Sequence, residues 1–163
     1  MRKGAAAQQV NAMEFKSFMN EALQEARKAG SQGEVPVGAV IVRKGVIVAQ
    51  AGNRTRELAD PTAHAEMLVI RAACNAVGSQ RLPGYDLYVT LEPCAMCAAA
   101  IAAARINRLY YGASDPKSGG VVHGARVFEH KQSHHSPQVY DGIAAIESEQ
   151  LLRKFFASRR KNL

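Results

Sequence analysis

The stretch Asp86-Leu-Tyr-Val-Thr-Leu91 runs straight through Glu92-Pro93 into Cys94-Ala-Met-Cys97 and an alanine-rich continuation. A short, nearly continuous apolar strand of this kind is expected where both faces of a sheet are covered. Helical sequence follows at once, so strand and helix share one tight junction. The flanking segments agree. Residues 13–29 read as an amphipathic helix, with Phe15, Phe18, Met19, Ala22, Leu23 and Ala26 at helical spacing and Gly30 as the expected stop. EVPVGAVIVRKGVIVAQAGN then gives two β-branched runs separated by Lys44-Gly45, the pattern of a hairpin. A second helix is predicted over 61–77, with Pro61 as its first residue and Gly78 just past its end. INRLYYG supplies another strand, and segment 112–138 reads as loop. A final helix is predicted over 143–160, with Leu151, Leu152, Phe155 and Phe156 on one face. The order αββαβαβ(β)α places the chain in the α/β class, with helices packed on a central sheet.

A chain of 163 residues suits one domain, and a hydrophobic content of 47% argues against disorder. No apolar run approaches the roughly 20 residues needed to span a bilayer. Residues 1–12 lack an apolar h-region, so no secretion signal is read there. They are taken as an N-terminal extension or expression remnant, leaving 13–163 as the single domain. Cys74, Cys94 and Cys97 are an odd set with no such signal, which points to a reducing, cytoplasmic compartment and not to a disulfide framework. The balance of 21 Lys+Arg against 14 Asp+Glu, a net charge of +7, fits a polyanionic partner as well as it fits an ordinary basic protein. Basic residues cluster at the end, where Arg159, Arg160 and Lys161 are candidate contacts to a nucleic-acid backbone.

Cys94 and Cys97, three apart in the first turn of a helix, can face a common point and sit where unpaired N–H groups favour thiolate. A CxxC alone also fits a buried pair of small hydrophobes or a redox pair, although no thioredoxin-like pattern surrounds this one. Two thiolates leave a zinc ion short of ligands. Cys74 cannot join His64 at one ion, since ten helical residues separate them by about 15 Å. His64 is the better third ligand, because its helix also begins directly after a loop. Residues i and i+2 diverge by about 200° around a helix, so His64 and Glu66 converge only on something off the helix end. The inference is two helix N-termini aimed at one site, with zinc held by His64, Cys94 and Cys97 and with Glu66 beside it, unligated. Three protein ligands leave the fourth position open to water, which marks a catalytic zinc; Glu66 then suits a proton shuttle. Mixed nitrogen and sulfur donors favour zinc over iron.

His64-Ala-Glu66 followed by Pro93-Cys94-Ala-Met-Cys97 resembles the known H-x-E…P-C-x-x-C signature of the zinc nucleobase deaminases. Within that family the chain is similar to the bacterial tRNA-specific adenosine deaminases, through EVPVGAVIV, GNR at 52–54, DPTAHAE, YVTLEPCAMC and YGASDPKSGG. The likeness spans residues 13–160, is weakest over 124–142 and is absent from 1–12. It implies a three-layer α/β/α cytidine-deaminase-like fold with a five-stranded mixed sheet, a homodimer, and one zinc per subunit. It also implies hydrolytic deamination of the wobble adenosine to inosine in a tRNA anticodon stem-loop, with the target base splayed into the pocket. Asn53 matches the residue that hydrogen-bonds that base, and Asp115 and Lys117 match a loop near bound RNA. A free-base deaminase such as guanine deaminase shares HAE and PCxxC and is the rival reading; a non-catalytic zinc or RNA-binding subunit is another, disfavoured because Glu66 is present. The sequence assigns no role to His123, His130, His134 or His135, and a fourth ligand from one of them would close the site.

Overall fold

The computed structural model describes residues 15–161. The expected extension at 1–12, with Met13, lies outside the described residues. In chain order the elements are α1 (Met19–Ser31), β1 (Gly38–Arg43), β2 (Val46–Gly52), α2 (Ala65–Val77), β3 (Asp86–Leu91), α3 (Ala95–Ala103), β4 (Arg108–Ala113), β5 (Gln138–Tyr140) and α4 (Ala145–Arg160). The five strands form one mixed sheet in the order β2-β1-β3-β4-β5. β1 is antiparallel to both β2 and β3, whereas β3, β4 and β5 run parallel.

Strand periodicity sorts the core into two layers. Ala39, Ile41, Leu87, Val89, Leu109 and Tyr111 face α2 and α3, where Val69, Ile70, Ala98 and Ile101 complete the larger core. The alternate residues Val40, Val42, Tyr88 and Tyr110 face Phe18, Met19, Ala22 and Leu23, with Leu151 of α4 packed alongside. Each such aliphatic side chain taken from water contributes about 1.5–3 kcal/mol. The tyrosines on this second face stack across strands: ring centroids of Tyr88 and Tyr110 are 4.4 Å apart, and those of Tyr110 and Tyr140 are 4.9 Å apart.

The hairpin turn falls at Lys44-Gly45 as expected, with positive φ at both residues, 48° and 75°. Such a two-residue turn matches the right-handed twist of its strands. Gly78 caps α2 in the left-handed region, also as expected. Four boundaries differ. Of the helix expected over 13–29, residues 15–18 are not helical: α1 starts at Met19, whose N–H is donated to the Ser17 hydroxyl at 3.2 Å, so Phe15 and Phe18 precede the helix. Gly30 lies inside α1 and does not stop it; the chain turns away only at Gly33, where φ is 81°. Pro61 is not the first residue of α2, which starts at Ala65. The Asp60 carboxylate accepts both the N–H and the hydroxyl of Thr62, at 2.8 and 2.7 Å, and this local turn delays the helix. Segment 112–138, expected to be loop, carries the end of β4, a single 3₁₀ turn at Val127–Glu129 and the start of β5. Along α4, Leu151, Leu152 and Phe155 are only half-buried and Phe156 is exposed, because the helix approaches the sheet through Ser148 instead. A Cβ on Gly112 of β4 would come within 2.4 Å of the Ser148 hydroxyl. Among the described residues, no helix is long and apolar enough to cross a membrane.

Candidate active site

The site forms at the sheet edge where β3 and β4 end and β1 begins. There Gly38 pairs with Gly52, and its N–H is donated to the Thr90 hydroxyl. Two helices start at this edge. Cys94 is the N-cap of α3, with extended backbone (φ −69°, ψ 173°), and its carbonyl accepts the Ala98 N–H at 2.8 Å. His64 occupies the same position on α2 (φ −70°, ψ 152°). The side chain of Asn53 fixes that geometry: its Oδ1 accepts the N–H of Ala65 at 2.8 Å, satisfying one of the orphan donors of the first turn. His64 therefore projects off the end of α2, while Glu66, one residue inside it, points into the protein and is only 4% exposed.

His64 Nδ1 lies 3.7 Å from the sulfur of Cys94 and 3.5 Å from that of Cys97. A tetrahedral zinc with the usual Zn–S and Zn–N bond lengths puts such donors about 3.5 Å apart. The spacing therefore fits one ion held at a common centre. Among the described residues these three form the one group of His, Cys, Asp or Glu that is placed to hold a metal. Cys74, near the C-terminal end of α2, stays outside this group, as its separation predicts. The four histidines without an assigned role also stay away from the centre. His123 Nδ1 lies 2.8 Å from Glu92, His135 bonds the Ile106 carbonyl at 2.6 Å, and His130 and His134 line a separate surface hollow beside α3.

The electrostatics of the cluster match metal chemistry. The neighbouring Cys97, followed by the His64 imidazole, holds the Cys94 thiol down at about 4. Cys97 is pushed far up by its bond to Cys94 and by burial. A divalent ion between the donors removes that penalty, because a coordinated thiol is deprotonated outright. Burial raises Glu66 to about 7, with the negative charge of Cys94 adding to it and His64 opposing it. A carboxyl group at that value can both take and give a proton near neutral pH.

His64, Glu66 and Cys94 line a cavity of 180 Å³ whose walls also include Val35, Val37, Asn53, Glu92, Asp115 and Ser118. Beside it lies a wider groove of 700 Å³, lined by Lys117, Arg153, Phe156, Arg159 and Arg160. Of the basic residues singled out in the tail, Arg159 and Arg160 reach this groove, and Lys161 is exposed beyond it. Arg159 is also engaged structurally: its guanidinium bonds the Gly33 carbonyl at 2.5 Å and lies 4.6 Å above the Phe155 ring.

A family model described as the cytidine and deoxycytidylate deaminase zinc-binding region matches residues 13–113. The tRNA-specific adenosine deaminase of Agrobacterium fabrum is 62% identical over 143 residues, which cover 88% of this chain and 94% of that protein. The chain belongs to this deaminase family. A second relative, the tRNA-specific adenosine deaminase of Bacillus subtilis, is 44% identical over 88% of the deaminase and 89% of its own length. A structure from work on A-to-I editing by tRNA:A34 deaminases at the wobble position of transfer RNA superposes with a TM-score of 0.82 at 62% identity, covering 83% of this chain and 98% of that one. The guanine deaminase of Bacillus subtilis superposes less closely, with a TM-score of 0.62 at 30% identity over 91% and 95% of the two chains.

Two residues of this deaminase escaped the sequence reading. Glu34 and Glu92 are both 2% exposed. The Glu34 carboxylate accepts the N–H groups of Arg56 and Glu57 at 3.0 and 2.9 Å and the Thr55 hydroxyl at 3.2 Å, tying down the segment that follows Asn53. Glu92 does the same for the segment that carries Asp115. The signal for each was an acid set directly against an apolar run, VPVGAVIV for Glu34 and YVTL for Glu92, where a solvated side chain is out of place.

Proposed function

We propose that this deaminase is a hydrolase that converts the wobble adenosine of tRNA anticodon loops to inosine, with residues 13–163 acting as one zinc deaminase domain. The observation that carries the reading is the joining of one cavity, with Glu66 beside the His64, Cys94 and Cys97 donors, to a basic groove in a chain 62% identical to a tRNA-specific adenosine deaminase. His64, Cys94 and Cys97 hold one zinc per subunit. Zinc held by these three donors would supply Lewis acidity and lower the pKa of water toward neutrality.

The protein's own residues do the rest. Glu66 accepts the proton of the attacking water and delivers it to N1 of the purine as C6 is attacked. It then takes the remaining proton from the oxygen newly bonded to C6 and delivers it to the exocyclic nitrogen, and the C6–N bond breaks as the C6 carbonyl forms. Water and adenosine thus become inosine and ammonia, and Glu66 is returned to its starting state. With Oδ1 of Asn53 occupied by the Ala65 N–H, the amide nitrogen is left to donate to the base and orient it. Val35 and Val37 exclude water from one side of the cavity. Asp115 and Lys117 stand at its mouth, where the flanking nucleotides of a splayed loop would pass, and Arg160 meets the backbone further along.

Two further parts of the reading rest on the family likeness: a homodimer, testable by sedimentation, and a cytoplasmic location, supported by three free cysteines. The deciding experiment is sequencing of tRNA before and after treatment. A-to-I conversion at the wobble position is expected, with no ammonia released from guanine in a parallel incubation. Ammonia from guanine with untouched tRNA would establish the free-base reading instead.

A further inference from the structure

Between the metal-binding cluster and the basic groove lies a buried carboxylate that the deamination chemistry does not use. Oε1 of Glu92 accepts the N–H groups of Val122 at 2.9 Å, His123 at 3.0 Å and Val121 at 3.3 Å. Oε2 accepts the N–H of Asp115 at 2.9 Å and lies 2.8 Å from Nδ1 of His123. A carboxylate only accepts, so the imidazole donates its Nδ1–H. Among the described residues no lysine or arginine belongs to this set; the anion is met almost entirely by backbone. Asp115 extends the order, since its Oδ1 accepts the N–H of Lys117 at 3.1 Å and of Ser118 at 3.0 Å. The segment has no slack. A Cβ on Gly119 would fall 2.6 Å from the Glu92 carboxylate carbon, and one on Gly120 would fall 2.5 Å from the Ala95 nitrogen. Residues 114–123 are thus pressed onto the first turn of α3 and clamped at both ends by one side chain.

We propose that the Glu92–His123 pair is a positioning device for the RNA-facing loop. It sets where Asp115, Lys117 and Ser118 stand at the mouth of the base pocket, and it governs substrate affinity more than the chemical step. Hydrogen bonds to an ionised acceptor shielded from water are stronger than neutral ones. A loop ordered in advance leaves less entropy to be lost when RNA binds. Glu92 lines the inner cavity, but both of its carboxylate oxygens are taken up by the N–H groups of the loop and by His123, and His123 lies outside the lining, so through this clamp the pair acts on the loop as positioning residues and not as catalytic ones. His123 is the only side chain among the donors and is 37% exposed at the side chain, which makes it the place to test the clamp without emptying the core.

The inference rests on the proposed activity, and its test separates the two. His123→Ala removes one donor and leaves the backbone bonds; His123→Asn places an amide N–H close to the lost Nδ1–H. In the zinc-loaded protein, His123→Ala is expected to raise KM for an anticodon stem-loop roughly tenfold, the scale of one lost hydrogen bond to a charged group. The change in kcat is expected to be smaller, and His123→Asn should recover most of the affinity. Amide exchange at Asp115 and Val122 should quicken in the alanine variant and slow again in the asparagine one. An unchanged KM in His123→Ala, or a loss that His123→Asn does not repair, would overturn the proposal. If the wild-type protein forms no inosine, the proposed function fails on its own. Amide exchange then decides the clamp: restored protection in His123→Asn supports it, and identical exchange in all three proteins refutes it.

Discussion

Glu66 and Glu34 are both buried acids, yet the protein holds them in opposite states. Burial raises Glu66 to about 7, outweighing the backbone hydrogen bond and the His64 imidazole that pull it down. Burial also pushes Glu34 up, but the N–H groups of Glu57 and Arg56 and the Thr55 hydroxyl outweigh it and leave the acid below its usual 4.5. One group is poised to move a proton and the other is fixed as an anion. For Glu66→Gln the expected outcome is a full zinc complement by elemental analysis with turnover reduced by at least about 10²–10⁴, the usual contribution of a positioned acid–base group. Wild-type turnover in that variant would remove Glu66 from the mechanism. For Glu34 the pH dependence has a definite sign. A folded-state pKa below the unfolded value gives stabilisation that is complete above pH 4.5 and is lost as pH falls through the folded value. Glu34→Gln should therefore cost roughly 1–3 kcal/mol in urea unfolding at pH 7. The gap from wild type should close in acid, where Glu34 itself becomes neutral; a constant gap would mean that the charge is irrelevant. At this scale the sequence was most legible where function is local. His64 with Glu66, and Cys94 with Cys97, announce themselves by spacing, whereas Glu34 and Glu92 act on partners 21–31 residues away, and spacing carries no trace of that.

Elements were legible where a boundary depends on one residue's own backbone. Lys44-Gly45 and Gly78 turn the chain wherever they are placed, so the hairpin and the end of α2 could be read directly. The start of α2 could not, because the Asp60–Thr62 turn that delays it is completed by a residue distant in sequence, Asn53, which captures the Ala65 N–H. The consequence is functional: had Pro61 opened the helix, His64 would lie on its flank and could not converge with Glu66 on a point off the end. Packing distances between elements were equally hidden. A methyl group on Gly38 would stand 2.0 Å from the Ala22 carbonyl and 2.5 Å from the Ala26 nitrogen, so α1 rests on the bare backbone of β1. Helix backbone cannot yield as a flexible side chain can. Gly38→Ala is expected to cost about 3 kcal/mol, at the upper end for overpacking. Gly45→Ala, with nothing within 4 Å of the added carbon but a φ of 75°, should cost only about 1 kcal/mol. Thermal unfolding of the two variants checks the ranking. Equal losses would show that α1 can move off the sheet.

At the scale of the whole molecule, the net charge of +7 becomes specific only after folding. The wide groove draws Leu91 from the end of β3, Lys117 from the clamped loop, and Arg153, Phe156 and Arg160 from α4. No window of sequence contains that set, so composition could indicate a polyanion without locating it. The tail also divides on inspection. Arg159 is tied to the Gly33 carbonyl and to the Phe155 ring, and its removal would disturb the end of α4 as well as any contact with RNA. Arg153 is the cleaner probe: its side chain is 82% exposed and holds only a surface pair to Glu149, of the kind that contributes little to stability. Arg160 joins it on the groove, with no such tie among the described residues. Each cation that neutralises a phosphate of a single-stranded loop releases counterions, and log K falls with log salt by about 0.7 per contact. Measured against salt concentration, Arg153→Ala combined with Arg160→Ala should bind the anticodon stem-loop more weakly at low salt, with a slope shallower by about 1.4. The two affinity lines then converge as salt rises, because the missing contacts are the ones that salt would have screened. Parallel lines would mean that the two arginines act through the position of α4 and not through phosphate, and the path of the RNA would have to be sought on another face.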